Sequence, residues 1–330
     1  MRIGIPREVK DGESRVALTP AAVATLAGVV VEPGAGSAIG FSDQEYLKAG
    51  VTLGDPWQCD LIVKVKEIQP AEYARPRRGQ TVLGFDQFSA NRALLDAALA
   101  SGATFVSYNT VGSQRGAAPI LAPMSALAGR LAVQVGAWCL QKHNGGSGVL
   151  LSGFEGVAPG KVVIVGAGNV GSNALAAADA LGAEVTVIAR TDRRFPDLKR
   201  RHPRARFTTE VNVKDADLVI GGVFVPGQPS PKLLTRTMLR AMPRGSALVD
   251  VGIDYGGIAE TSRPTSHSAP IYVEEGVVHY CVSNLPAACP RTASLALERA
   301  VLPYVRMLAK GEMDDDLRAG LAVQCGKRIG

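Results

Sequence analysis

Residues 161–171 read Lys-Val-Val-Ile-Val-Gly-Ala-Gly-Asn-Val-Gly, a β-branched run that breaks into the spacing G-x-G-x-x-G. No other feature of the chain constrains its fold as tightly. Gly166 permits the tight turn, Gly168 lets the backbone approach a pyrophosphate, and Gly171 lets the next helix pack close to the strand. The context fits that reading. An Ala-rich stretch from Asn173 to Leu181 reads as helix, and Glu184 to Ala189 reads as a second strand. A helix N-terminus offers unpaired N–H groups and a positive dipole end to phosphates. The segment therefore implies dinucleotide binding by Gly166, Gly168 and Gly171, with Asn169 and Val170 beside them at the helix start.

The end of the second strand adds a detail. Where NAD binders carry Asp or Glu for the ribose 2′-OH, this chain has Ala189 followed by Arg190. The net charge is +6, and the segment Arg190–Arg206 accounts for it, with eight Lys or Arg against Asp192 and Asp197. Most of these side chains read as a solvated face. Arg190, Arg193 and Arg194 directly follow the ribose-reading strand, and guanidinium forks match phosphate oxygens. NADP(H) is thus expected over NAD(H), with a loop shift that brings Asp192 to the ribose as the opposite reading. A charge excess confined to one segment, without aromatic interleaving, argues against a nucleic-acid surface.

At 330 residues the chain suggests about two domains with a sizeable core. Its 46% hydrophobic and 20% charged content is that of an ordinary globular protein. Met1–Glu8 lacks a signal-peptide pattern, and no apolar stretch is long enough to cross a bilayer. The five cysteines are scattered, without C-x-x-C or Cys/His ligand spacing, so neither a disulfide framework nor a metal site is expected. The expected compartment is the cytoplasm.

Two α/β patterns follow one another. The first has strands at Arg2–Ile5, Val29–Glu32, Leu61–Val65, Thr81–Gly84 and Thr104–Ser107, with helices at Pro20–Ala27 and Asn91–Ser101. An amphipathic run, Met124–Gln141, leads into a flexible turn at Asn144–Gly148. The second pattern has strands at Val162–Val165, Glu184–Ala189, Ala216–Gly221, Ala247–Val251 and Val277–Cys281. A helical tail, Thr292 to Ala309, is apolar on one face and reads as a return to the first domain. The expected fold is α/β with two Rossmann-like doubly wound domains, the nucleotide-binding one (128–291) inserted into a discontinuous substrate domain (1–127 and 292–330).

Several ordered segments resemble the alanine dehydrogenases and the related soluble part of nicotinamide nucleotide transhydrogenases. They are Ile3-Gly-Ile-Pro-Arg-Glu8, Glu13-Ser-Arg-Val-Ala-Leu-Thr-Pro20, Leu61-Ile-Val-Lys-Val-Lys-Glu67, Leu121-Ala-Pro-Met-Ser125, Val249–Gly257, Arg263–Ser268 and Val278–Pro286. The resemblance implies that Arg15 holds a substrate carboxylate and that Lys66 polarises the carbon to be attacked. It also implies that Asp254 lies beside the nicotinamide, that Asn284 lies near its ring, and that Ser125 joins the cofactor set. A homo-oligomer, a dimer or hexamer, is implied as well.

The family's catalytic histidine is missing. Alignment on Gly79-Gln80 and Leu94 puts Gln87 at its position, and glutamine cannot move a proton near neutral pH. Asp86 is adjacent, but neighbours on an extended segment point oppositely, so it could serve only if the backbone turns there. Asn109 and Ala126 stand where relatives carry Glu. A reductase that receives a preformed imine needs less proton shuttling than one that builds a carbinolamine. The leading expectation is therefore an NADPH-dependent reductase of a 2-imino or 2-oxo acid, biosynthetic in direction. Its alternatives are a dehydrogenase of alanine or another small L-amino acid, with Gln87 and a water replacing the histidine, and a non-catalytic NADP(H)-binding protein of regulatory or transhydrogenase-like kind.

Overall fold

A computed structural model describes every residue except Ala117, Phe224, Pro226, Gly227 and Gly330. The chain forms two compact units, residues 1–124 with 289–330, and residues 125–288.

The first unit is built on strands β1 (Ile3–Ile5), β2 (Val29–Val31), β3 (Thr52–Leu53), β4 (Leu61–Val63), β5 (Thr81–Gly84) and β6 (Thr104–Ser107). They run parallel in the order β3-β2-β1-β4-β5-β6. Continuous apolar runs such as Val29–Val31 and Leu61–Val63 suit this arrangement, since strands of a covered parallel sheet are buried on both faces. The helix Arg92–Ser101 packs Leu94, Leu95 and Ala98 against Ile62, Val82 and Phe105. Asn91 caps it by accepting from Leu94 N at 3.1 Å, and Gly102, at φ 68°, ends it. Burying each large apolar side chain stabilises the fold by roughly 1.5–3 kcal/mol. The expected helix Pro20–Ala27 is a single turn, Pro20–Val23. Thr25 N and Leu26 N donate three residues back, to Ala22 O at 3.1 Å and Val23 O at 2.9 Å, so the chain tightens into turns that lead to Gly28 at φ 66°.

The second unit carries β7 (Lys161–Val165), β8 (Glu184–Ile188), β9 (Arg206–Thr208), β10 (Leu218–Gly221), β11 (Ala247–Asp250), β12 (Ile271–Glu274) and β13 (Val277–Tyr280). Strands β9-β8-β7-β10-β11-β13 are parallel, and β12 closes one edge antiparallel to β13. The chain moves outward in both directions from the β7/β10 pair, so the switch point lies at the carboxyl ends of those two strands. The helix after β7 spans Asn169–Leu181, four residues earlier than the Ala-rich stretch indicates. Close packing overrides the low helix propensity of Gly171 here: a Cβ on it would stand 1.7 Å from Gly166 O.

The helix Leu121–Cys139 also starts earlier than expected, because Pro123 lies in its first turn, where a missing N–H costs nothing. The unit boundary falls inside it. The Asn144–Gly148 turn is tied down rather than loose. Gly148 N donates to Leu140 O at 2.7 Å, Ser147 N donates to Gly245 O at 2.8 Å, and a Cβ on Gly146 would meet Leu140 C at 2.2 Å. After the helix Pro290–Ala309 the chain ends in β14 (Leu321–Gln324) and β15 (Lys327–Arg328), which extend the first sheet antiparallel beside β6.

Candidate cofactor and substrate sites

In the second unit the glycine motif sits at the carboxyl end of β7, on the switch point. Gly166 has φ 110°, and a Cβ there would lie 2.7 Å from Gly222 O, so only glycine permits this turn. Gly168 is different: a Cβ on it would meet nothing within 4 Å. It is the N-cap of Asn169–Leu181, and no side chain caps the helix start. The backbone amides therefore open onto unfilled space that a side chain at Gly168 would enter, which fits a pyrophosphate.

Around that cradle, Ala189 follows β8 and donates its N–H to Thr208 O at 3.1 Å. Arg190 and Arg193 are exposed. Arg194 donates from Nη1 to Ala167 O at 2.6 Å, so its guanidinium buttresses the glycine loop itself. Asp254 is exposed in the helical turn Val251–Tyr255 after β11. Asp250 shapes that turn, accepting from Gly252 N at 3.1 Å, Ile258 N at 2.7 Å and Ser262 Oγ at 2.5 Å. Burial pushes the Asp250 carboxyl above the usual range, against these hydrogen bonds. Asn284 follows β13 at φ 58°, its carbonyl accepting from Ala287 N at 2.9 Å. The parallel order brings residues 166–171, 189, 190, 254 and 284 to one edge of the sheet. Ser125 is half-buried in the helix Leu121–Cys139, which packs on the start of the dinucleotide helix: a Cβ on Gly129 would stand 2.1 Å from Val170 O.

In the first unit the equivalent edge carries the polar residues. Arg15, only 2% exposed, is gripped by Glu13 through its Nε and Nη2, while Nη1 points to Met124 Sδ at 3.3 Å. Lys64 is buried between Glu8 at 3.3 Å and Glu72 at 2.8 Å. Burial pulls its ammonium down, but the two carboxylates outweigh that and hold it above the ordinary lysine value. Lys66 follows on the far side of Val65, 3.8 Å from Glu67 Oε2 and 5.7 Å from the Phe85 ring centroid. Glu67 also binds Lys10. Gly84 lets this segment approach, since a Cβ on it would sit 3.2 Å from Lys66 O.

After β5 the chain is not extended. Gln87 O accepts from Ala90 N at 3.0 Å and Asn91 N at 2.9 Å, and Asp86 Oδ1 accepts from Phe88 N at 3.2 Å. Asn109 Nδ2 donates to Asp86 O at 2.9 Å and holds the bend. Gln87 is exposed, whereas Asp86 lines a cavity of about 20 Å³ with Lys66, Glu67, Phe85 and Ser107. Glu13, Glu67, Lys10 and Ser107 escaped the sequence reading. Only the acidic residues spaced around Arg15 and Lys66 could have signalled them.

Two family models match the chain, the alanine dehydrogenase/PNT N-terminal domain over residues 4–128 and its C-terminal domain over 132–329. Together they span almost all of it. The chain belongs to the alanine dehydrogenase/PNT family. It is 46% identical to alanine dehydrogenase of Halomonas elongata, covering 99% of this chain and 94% of that one. The Bacillus subtilis alanine dehydrogenase is 42% identical, with 97% and 90% covered. A solved L-alanine dehydrogenase superposes with a TM-score of 0.96 at 41% identity, over 100% and 97% of the two chains. A transhydrogenase from Sinorhizobium meliloti, 24% identical with a TM-score of 0.86, shares the fold. The protein is thus a nicotinamide-dependent oxidoreductase of the amino-acid dehydrogenase kind. Among the described residues no helix is long and apolar enough to cross a membrane.

Proposed function

We propose that the chain reduces the C=N or C=O carbon of a 2-imino or 2-oxo acid with NADP(H), in a biosynthetic direction. The observation that carries the substrate class is the buried Arg15 guanidinium, fixed by Glu13. Fixed planar donors recognise a carboxylate bidentately and orient the carbon next to it. Lys66 supplies a cation to polarise the double bond, as an electrostatic stabiliser of developing negative charge. A bound nicotinamide dinucleotide supplies or accepts the hydride. In the second unit, Gly166, Gly168 and Gly171 with Asn169 and Val170 hold its pyrophosphate, and Asp254, Asn284 and Ser125 contact its nicotinamide half. The absence of an acid at Ala189 and the exposed Arg190 and Arg193 favour the 2′-phosphorylated form.

A second reading, oxidative deamination of alanine or another small L-amino acid, is favoured by the 42–46% identity to alanine dehydrogenases. A cofactor and substrate panel separates the two. NADPH and NADH consumption is followed with pyruvate plus ammonium, larger 2-oxo acids, and preformed cyclic 2-imino acids. Turnover of the imino acids with NADPH supports the first reading; turnover limited to pyruvate, ammonium and NADH supports the second. The working setting of either enzyme is a cytoplasmic homo-oligomer.

A further inference from the structure

We propose that Asp86 holds and delivers the proton for this reaction, through one water seated in the cavity it lines with Lys66, Glu67 and Ser107. The proposal rests on reading the first unit as the site of a 2-oxo or 2-imino acid.

The turn after β5 separates Asp86 from its neighbour. Gln87 is exposed and lies outside the cavity lining, while Asp86 lies within it. Asp86 Oδ1 is engaged by Phe88 N, but Oδ2 is buried without a hydrogen-bond partner. Glu67 Oε2, from the segment after β4, is a second buried oxygen without a hydrogen bond, though Lys66 Nζ lies 3.8 Å from it as an ion-pair partner. A buried polar group without a partner is costly, and native structures satisfy nearly all of them. The cavity measures about 20 Å³, enough for a single water, which needs two to four polar partners. Most of its lining is apolar, including Ile68, Phe88 and Leu94, so its polar partners must come from Asp86, Glu67, Lys66 and Ser107, and the buried Asp86 Oδ2 and Glu67 Oε2 are the two oxygens still open to a water.

The two carboxyls have opposite electrostatic settings. Burial raises Asp86, the Glu67 charge adds to that, and Ser107, the Phe88 N–H and Lys66 oppose it without cancelling it. Burial also pushes Glu67 up, but Lys66 and Lys10 outweigh it and hold Glu67 low. Environments that drive two acids apart separate a proton carrier from a permanent anion. Glu67 is the anion that holds Lys66; Asp86 is the carrier. In reduction the Asp86 O–H bond breaks and its proton passes to the water. The water gives one of its own to the substrate nitrogen or oxygen, whose carbon takes the hydride of the reading above. Asp86 is left as carboxylate and regains a proton from solvent; oxidation runs the reverse. Asp86 acts through the water and so serves as a positioning, proton-holding residue.

The test uses the full chain with Asp86→Asn, which keeps an acceptor for Phe88 N–H but cannot carry a proton. With pyruvate plus ammonium or a cyclic 2-imino acid, kcat is expected to fall roughly 10²–10⁴-fold, with KM changed by no more than about threefold. In the parent, kcat for reduction falls as pH rises through the Asp86 pKa, and this limb disappears in the variant. Independently of substrate, carbon-13 NMR of Asp-labelled protein without cofactor reports the carboxyl directly. The resonance lost in Asp86→Asn is expected to titrate above the ordinary aspartate value of about 3.9, and higher again in Lys66→Met. A titration at or below that value, or Asp86→Asn turnover within about threefold of the parent, overturns the proposal. A parent that turns over neither probe refutes the substrate reading, while the titration still decides Asp86.

Discussion

Glu13 grips Arg15 with both carboxylate oxygens, Oε1 accepting from Nε at 2.7 Å and Oε2 from Nη2 at 2.5 Å, and the pair is buried. Removing one partner of such a pair strands a charge away from water. Glu13→Gln is therefore expected to cost about 3–5 kcal/mol of stability, read as a lower urea midpoint at constant slope. Arg15→Lys keeps the charge but loses the fork. Its KM for a 2-oxo acid should rise on the order of tenfold to a hundredfold, the worth of a charged hydrogen bond. An unchanged KM would remove Arg15 from substrate binding.

Two of the motif glycines, Gly168 and Gly171, should fail in different ways. A methyl at Gly168 enters only open space at the start of Asn169–Leu181. Gly168→Ala is expected to leave the melting temperature nearly unchanged while weakening dinucleotide binding on the order of tenfold, measured by calorimetry. Gly171→Ala drives a Cβ to 1.7 Å from Gly166 O, so it should destabilise the second unit before any binding is lost. Overpacking of this kind costs roughly 1–3 kcal/mol or more.

Cofactor choice should divide along the arginines. Arg190 and Arg193 are exposed, so Arg190→Ala and Arg193→Ala should weaken NADPH binding and spare NADH. Arg194 instead holds Ala167 O at 2.6 Å. Arg194→Ala should therefore weaken both dinucleotides alike. Fluorescence titrations with each cofactor check the pattern, and equal losses for Arg190→Ala would count against a 2′-phosphate site.

Acid should find one marked point in the β12–β13 hairpin. Glu275 accepts from Arg236 Nη1 at 2.7 Å and Arg240 Nε at 2.8 Å, and these hydrogen bonds lower its pKa from 4.5 to about 2. A depressed folded-state pKa contributes stability that is present above 4.5 and is lost as pH falls toward about 2. Glu275→Gln is thus expected to be less stable than the parent at neutral pH, with the gap closing across that window and narrowing in high salt. Urea melts at several pH values would show it; a gap independent of pH would contradict the ion pairs.

The parallel strands were readable because a covered sheet leaves long apolar runs in the sequence. Thr81–Gly84 and Thr104–Ser107 begin and end where their side chains indicate. The strands at or next to the sheet edges, β3, β9, β12, β14 and β15, were not, being two to four residues long and half exposed. Helix starts were read late at Asn169 and Leu121, because Gly171 and Pro123 are poor formers that position or packing makes acceptable. In the first unit, Arg15 and Lys66 could be singled out by family pattern. Their carboxylate partners could not, since nothing in a one-dimensional order states which acid a buried cation meets.

The sequence by itself determined the glycine turn after β7, since the positive φ at Gly166 is one that other residues rarely adopt, and that restriction is local to the turn. It also determined that Gln87 cannot carry a proton. Only the tertiary structure decided that Asp86 turns away from Gln87 into a cavity shared with Lys66, Glu67 and Ser107. Those groups arrive from the ends of three different strands, and a carboxyl's proton affinity depends on the burial and charge that distant segments bring to it.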